Sequence, residues 1–179
     1  MKNRIRIAFS ICCGLVLFAA CTGRQSVQQY YVANASNPAF LAVDVPVNIL
    51  KTETLEMGSD EQVALNSVRK LNILAFRKTE SNEAEYQAER AKVKAILADD
   101  GFQELMKLNS EFGRGSIQFT GDVDAIDEVI IFGDSQQNGF ALIRVLGDNM
   151  NPADFMRLLQ SLDSSQLEGM GDLSRFFKG

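Results

Sequence analysis

The sequence predicts an α+β domain: one mostly antiparallel sheet of about 5–6 strands, with roughly two or three helices packed on one face. Three observations lead there. In the first half, short β-rich apolar runs alternate with helical periodicity, in the order β, α, β, α. The second half strings strand-like segments together across short polar turns, which join antiparallel neighbours. One well-capped helix start then follows the last of them.

Residues 40–45, FLAVDV, are strand formers. Pro46 has no amide proton to donate, so this strand belongs at a sheet edge or stops there. Ser59-Asp60-Glu61-Gln62 has the form of a capping box, and Val63, Leu65 and Val68 follow, so a short helix is expected over 60–69. Residues 71–76 turn to strand. Asn82, with Glu85 three places on, starts a second helix that runs to about Ala98. Tyr86, Val93 and either Ile96 or Leu97 form its apolar side, and Asp100-Gly101 is its stop. Residues 102–108 fit both a helical face and a bounded strand; strand is preferred.

Three clearer strands follow. Residues 116–120, SIQFT, alternate; 129–132 are short and apolar; 140–146 are long and β-rich. Asn138-Gly139 suits a tight hairpin turn. Arg144 lies inside the longest apolar run, where it either faces water from one side of the sheet or snorkels. Asn151-Pro152-Ala153-Asp154 is a helix start: asparagine caps, proline takes the first position, and the acid meets free amides. Phe155, Leu158, Leu159 and Leu162 supply its apolar side. Leu173, Phe176 and Phe177 mark a further short segment, and the phenylalanine pair either closes the core or offers a contact to another protein.

Ahead of this domain stands a leader. Lys2, Arg4 and Arg6 precede an apolar run, 7–20, that is too short to cross a bilayer comfortably. Its end, Phe18-Ala19-Ala20-Cys21, resembles the lipobox of bacterial lipoproteins, with Phe18 in place of the usual leucine. The resemblance implies cleavage before Cys21, lipid on its sulfur, and anchoring by more than one acyl chain. Competing readings are an ordinary secretory cut that leaves Cys21 free, and a retained anchor helix. Thr22 after the cysteine, in place of the aspartate that retains such proteins at the inner membrane, implies the outer membrane, and the lack of acids in 22–26, where surface-export signals carry them, implies its periplasmic face and not the cell surface. The organisation expected is therefore a lipoprotein signal peptide over 1–20, a flexible lipid-anchored tether over 21–38, and one α+β domain over 39–179. The polar stretch 22–38 carries little to pack, although Tyr30-Tyr31 offers a pair that docks if the domain receives it.

Composition narrows the function. The chain has 18 basic and 23 acidic residues. Removing Lys2, Arg4 and Arg6 with the leader leaves 15 against 23, a net charge of −8. Such a chain repels nucleic-acid backbones and anionic head groups, so no nucleic-acid partner is expected. Its expected partners are the membrane lipid, through acylated Cys21, and an envelope protein. The only cysteines are Cys12, Cys13 and Cys21, and histidine is absent altogether. That removes Ser-His-Asp catalysis, histidine-bound zinc and any CxxC redox pair from the mature chain. No cofactor is expected.

Two spacings invite chemistry. Ser67-Val68-Arg69-Lys70 matches the bare Ser-x-x-Lys pair of acylating enzymes, without their companion motifs. The run 122–128, DVDAIDE, is the most site-like. Asp122, Asp124 and Glu128 are oxygen ligands of the kind a hard cation takes, and Asp122 with Glu128 has the form of a glycosidase pair. Against both readings, Ile126 and Asp127 occupy places where a calcium loop wants a ligand and a glycine, and the chain has no tryptophan for a sugar platform. The acids read first as a solvated turn. Met106, Met150, Met156 and Met170 read as core fillers.

Residues 127–133 (DEVIIFG), then 140–148 (FALIRVLGD), then the helix from Pro152 to Leu162, resemble the end of an uncharacterised lipoprotein family common in Bacteroidetes, called domain of unknown function 4252. The helix-then-strand pair ending at Phe76 resembles its front half, so the likeness covers roughly 40–165. It implies a lipoprotein with an α+β domain and carries no reaction or site residues. The expected role is a non-catalytic binding or structural module anchored in the envelope. The alternatives are a cation-dependent or carboxylate-based small hydrolase and an accessory sensor of a membrane signalling system.

Overall fold

Along the chain run α1 (Val27–Asn34), β1 (Phe40–Pro46), α2 (Ser59–Ser67), β2 (Val68–Arg77), α3 (Glu83–Leu97), β3 (Gln103–Ser110), β4 (Gly113–Asp122), β5 (Ala125–Ser135), β6 (Gly139–Met150) and α4 (Pro152–Ser161). This computed structural model describes residues 24–46, 58–110 and 113–161. Residues 1–23, Cys21 among them, Leu162, Leu173 and the Phe176-Phe177 pair lie outside the described residues, as do the side chains of Leu158 and Leu159.

The six strands pair in the order β1-β2-β6-β5-β4-β3, and every neighbouring pair is antiparallel. The fold is α+β, as the alternation of patterns predicts. β1 takes an edge, in keeping with Pro46. α3 carries the chain from β2 to the far edge, and the meander β3-β4-β5-β6 then walks back until β6 lies beside β2. Asn82 and Asn151 hold the cap positions of α3 and α4. Asn151 Oδ1 accepts from the amides of Ala153 at 2.8 Å and Asp154 at 3.3 Å. The cap of α2 is Gly58 rather than Ser59. Gly139 closes the β5–β6 turn at φ +115°, where a Cβ would overlap the Phe76 carbonyl.

Two expectations need correction. The first is layering: the helices cover both faces of the sheet, not one. Register puts Phe40, Phe76 and Phe140 in one row and Leu74, Leu142 and Phe132 in the next. With Val27 and Tyr30 of α1 and Tyr86, Val93, Ile96 and Leu97 of α3, these form one core. On the opposite face, Ile117, Phe119, Val129 and Val145 pack with Val68, Met150 and Phe155 of α4. The reason is legible in β2, where Asn72 through Phe76 are buried at five successive positions. A strand covered on one face alternates; a strand covered on both does not.

The second correction concerns the tether. Residues 27–34 are helical. Ser26 and Gln29 close a reciprocal capping box, at 3.1 and 3.0 Å. Val27 and Tyr30 are almost fully buried, and Tyr30 meets Phe40 edge-on at 6.2 Å and donates its hydroxyl to Glu89 at 2.8 Å. Just before the helix, Arg24 pairs with Asp99 at 3.1 Å. Two apolar anchors suffice to dock an otherwise polar segment, because a buried aromatic removes some 150–250 Å² from water.

Candidate functional site

Strand β4, GRGSIQFTGD, sends Ile117 and Phe119 into the α4-side core. Its alternate residues Arg114, Ser116, Gln118 and Thr120 therefore point to the α3 side. There they meet the last turn of α3. The result is an open groove of about 390 Å³, with Lys94, Leu97 and Ala98 from the helix, Arg114, Ser116 and Gln118 from β4, Phe132 and Asp134 from β5, and Lys107 from β3. A neighbouring hollow of about 310 Å³ shares Leu108, Arg114, Gly115 and Asp134 with it.

Asp134 organises the electrostatics. Its side chain is only 6% exposed. Tyr86 Oη donates to Oδ1 at 2.6 Å; Arg90 Nε and Lys94 Nζ reach Oδ2 at 2.5 and 3.5 Å. Burial, then the hydrogen bond and charge of Asp134, push the Tyr86 phenol well above the ordinary tyrosine range. With both oxygens occupied, Asp134 does not pair with Arg114, which lies directly across from it in the β4–β5 register. Arg114 is exposed and has no ion pair among the described residues. Lys107 has only a 3.5 Å contact to Glu104 on its own strand. Gln118 Oε1 is buried with no hydrogen-bond partner. The groove thus combines three cations, one satisfied acid, one buried acceptor without a donor, and an apolar wall. Its charges have the sign that suits an anion, and the one hydroxyl bonded to its acid is that of Tyr86 among the described residues.

The sites suggested by spacing do not assemble. Asp122 and Asp124 are exposed at the β4–β5 hairpin, while Glu128 turns to the α1–α3 face. Arg144 grips Glu128 in a two-pronged pair, Nε–Oε1 2.7 Å and Nη2–Oε2 3.2 Å, and also reaches Gln28 at 3.5 Å. Arg144 therefore neither snorkels nor faces open water. No three carboxylates or cysteines among the described residues gather closely enough to hold a metal ion. The Ser67–Lys70 spacing fails because α2 ends at Ser67. The serine donates to Ala64 O at 2.7 Å, while Lys70, on β2, meets Asp44 at 3.2 Å.

Asp44 is itself a small hub. It accepts from Tyr31 Oη at 2.8 Å, from the Asn72 amide and from Lys70. Burial alone would raise its pKa; the donors from Tyr31, Asn72 and Lys70 outweigh it and hold the carboxyl below its usual value. Burial and Asp44 push Tyr31 up to about 12.

Sequence reasoning missed the groove. Its one available signal was the alternation of 116–120, which marks Ser116, Gln118 and Thr120 as one face without saying what stands over them. No helix among the described residues is long and apolar enough to cross a membrane. A family model described as a domain of unknown function (DUF4252) matches residues 30–158. No curated protein and no solved structure matches the chain.

Proposed function

The chain belongs to this family of unknown function, and we propose that it is a lipid-anchored envelope protein whose domain works as a non-catalytic binding module held close to the bilayer, on the periplasmic face of the outer membrane. The observation that carries this reading is the docking of α1. Ser26 already belongs to the fold through its capping box, so only residues 22–25 separate it from the proposed acylation site, Cys21. Five extended residues reach at most about 17 Å. A partner must therefore meet the domain near the membrane. The chemistry supports a binder over an enzyme: the carboxylates singled out by spacing are spent on Arg144 or stand apart on a turn.

The test is metabolic labelling with an alkyne fatty acid, comparing native Cys21 with Cys21→Ala, followed by in-cell crosslinking of both forms. The expected result is label and membrane retention only with the native cysteine, and a discrete crosslinked partner only from the anchored form. Label on both forms, or on neither, refutes the anchor. Hydrolysis of a substrate that Glu128→Gln abolishes refutes the non-catalytic role.

A further inference from the structure

We propose that the groove between the last turn of α3 and the polar face of β4 binds a small hydroxylated anion: a carboxylate or phosphate flanked by hydroxyl groups, as in acidic sugars. This deepens the binding-module reading and rests on it.

The sign of the charge comes first. Lys94, Lys107 and Arg114 all line this groove on a protein whose 23 acids outnumber its 18 basic residues. Arginine offers a planar fork that fits a carboxylate or phosphate through two parallel hydrogen bonds. Arg114 is available for this because Tyr86, Arg90 and Lys94 already occupy Asp134. Lys94 touches Asp134 at one edge and remains half exposed, so it adds a second positive charge at the same end.

Gln118 supplies the second half of the specificity. An acceptor oxygen that is buried with no partner costs free energy until something donates to it. A bare halide or a fully ionised carboxylate cannot donate. A hydroxyl beside the anionic group can, once the groups that now close the oxygen to water give way to it, and Ser116, also lining the groove, can bond a second one. Leu97 and Phe132 then face the ligand's C–H surface. The space of about 390 Å³ exceeds a single ion and falls in the range of small-molecule pockets.

The test is isothermal titration of the purified full-length protein in detergent with glucuronate, glucose 6-phosphate, inorganic phosphate and neutral glucose. The expected result is saturable binding of at least one sugar anion at about 1 mM or tighter, with neutral glucose silent. Binding of glucuronate alone, or of the sugar phosphate alone, identifies the anionic group. Arg114→Met, an exposed change, should weaken that binding about tenfold or more, because charge-assisted hydrogen bonds are lost. Gln118→Leu should weaken it while leaving thermal stability unchanged or higher, since a buried unpaired oxygen is removed. Arg77→Met, on the exposed end of β2, should change nothing.

Absence of saturable binding by all four probes overturns the proposal, and so does equal binding by Arg114→Met. Inorganic phosphate binding as tightly as the sugar phosphate also overturns it, because the hydroxyl contact would then contribute nothing. Fatty-acid labelling of Cys21 is read out separately, so failure here leaves the anchored-module reading standing.

Discussion

Changing Glu128 to glutamine removes the negative half of the two-pronged pair with Arg144 and leaves the guanidinium where little water reaches it. The two side chains, Arg144 and Glu128, are 13% and 17% exposed. Removing one partner of a fully buried pair costs about 3–5 kcal/mol, whereas exposed pairs are worth about 0–1. At this depth, with one Arg144 nitrogen also near Gln28, about 2–3 kcal/mol is expected for Glu128→Gln. Arg144→Met should cost a similar amount, because it strands the carboxylate. The double change, Arg144→Met with Glu128→Gln, removes both charges and should cost about 3 kcal/mol, less than the sum of the two single changes. The coupling energy expected from the cycle is therefore about 2 kcal/mol. Urea unfolding followed by circular dichroism on all four proteins measures it, with and without added calcium. A coupling below about 0.5 kcal/mol would mean that the pair behaves like a surface contact, and the burial argument would be wrong. A calcium-dependent gain in stability that Glu128→Gln abolishes would return this carboxylate to the role of metal ligand.

Further expected outcomes concern the tyrosines and one glycine. All three tyrosines, Tyr30, Tyr31 and Tyr86, have phenols raised above the ordinary value by burial and by a carboxylate acceptor. Their folded-state pKa values lie above the unfolded value of about 10, so the stability they contribute is intact below pH 10 and is lost as the pH rises beyond it. Tyrosinate absorbance at 295 nm should therefore stay silent through pH 10 and appear together with unfolding; an ordinary titration centred near 10 in the folded protein would contradict the burial. Tyr30→Phe should cost about 1–2 kcal/mol through the lost bond to Glu89, and Tyr30→Ala about 3–5, both measured by chemical unfolding. If Tyr30→Ala were neutral, α1 would not be part of the core. Gly139→Ala should destabilise by more than about 1 kcal/mol, because φ is +115° and the Phe76 carbonyl occupies the Cβ position; an unchanged melting temperature would refute the turn geometry.

What the sequence made legible was local. Asn151 and Pro152 announce α4 because a cap and a fixed φ need no distant partner. Asn138-Gly139 announces a hairpin for the same reason. The docking of α1 was not legible, since Tyr30 finds Glu89 some 59 residues away and the helix carries almost no apolar stripe of its own. The two-faced sheet was half legible: β2 has consecutive apolar residues, but only the strand order shows that β2, β6 and β5 are central. Asp134 was hidden because Gly133 through Gly139 looks like a loop, whereas β5 continues to Ser135 and carries the acid under α3. The acidic run 122–128 misled in the opposite direction, because strand alternation sends Glu128 to Arg144 and leaves Asp122 and Asp124 at the hairpin.

The docking of α1 also bears on where the groove would stand. Arg24 pairs with Asp99, the residue directly after Ala98, and Ala98 forms part of the groove wall. On the anchored reading, Cys21 is three residues from Arg24, about 10 Å of chain at full extension. The groove mouth and the lipid would then lie at the same end of the domain. A ligand or partner would be met there within about 20–30 Å of the head groups, without the reach that a 17-residue tether would have given. Inserting about ten Gly-Ser residues between Thr22 and Gly23 should leave the fold, the Arg24–Asp99 pair and ligand affinity in detergent unchanged, while altering which envelope proteins crosslink to the domain. If the crosslinked set is indifferent to the insertion, the short spacing has no role in partner choice, and α1 is a stabilising element alone.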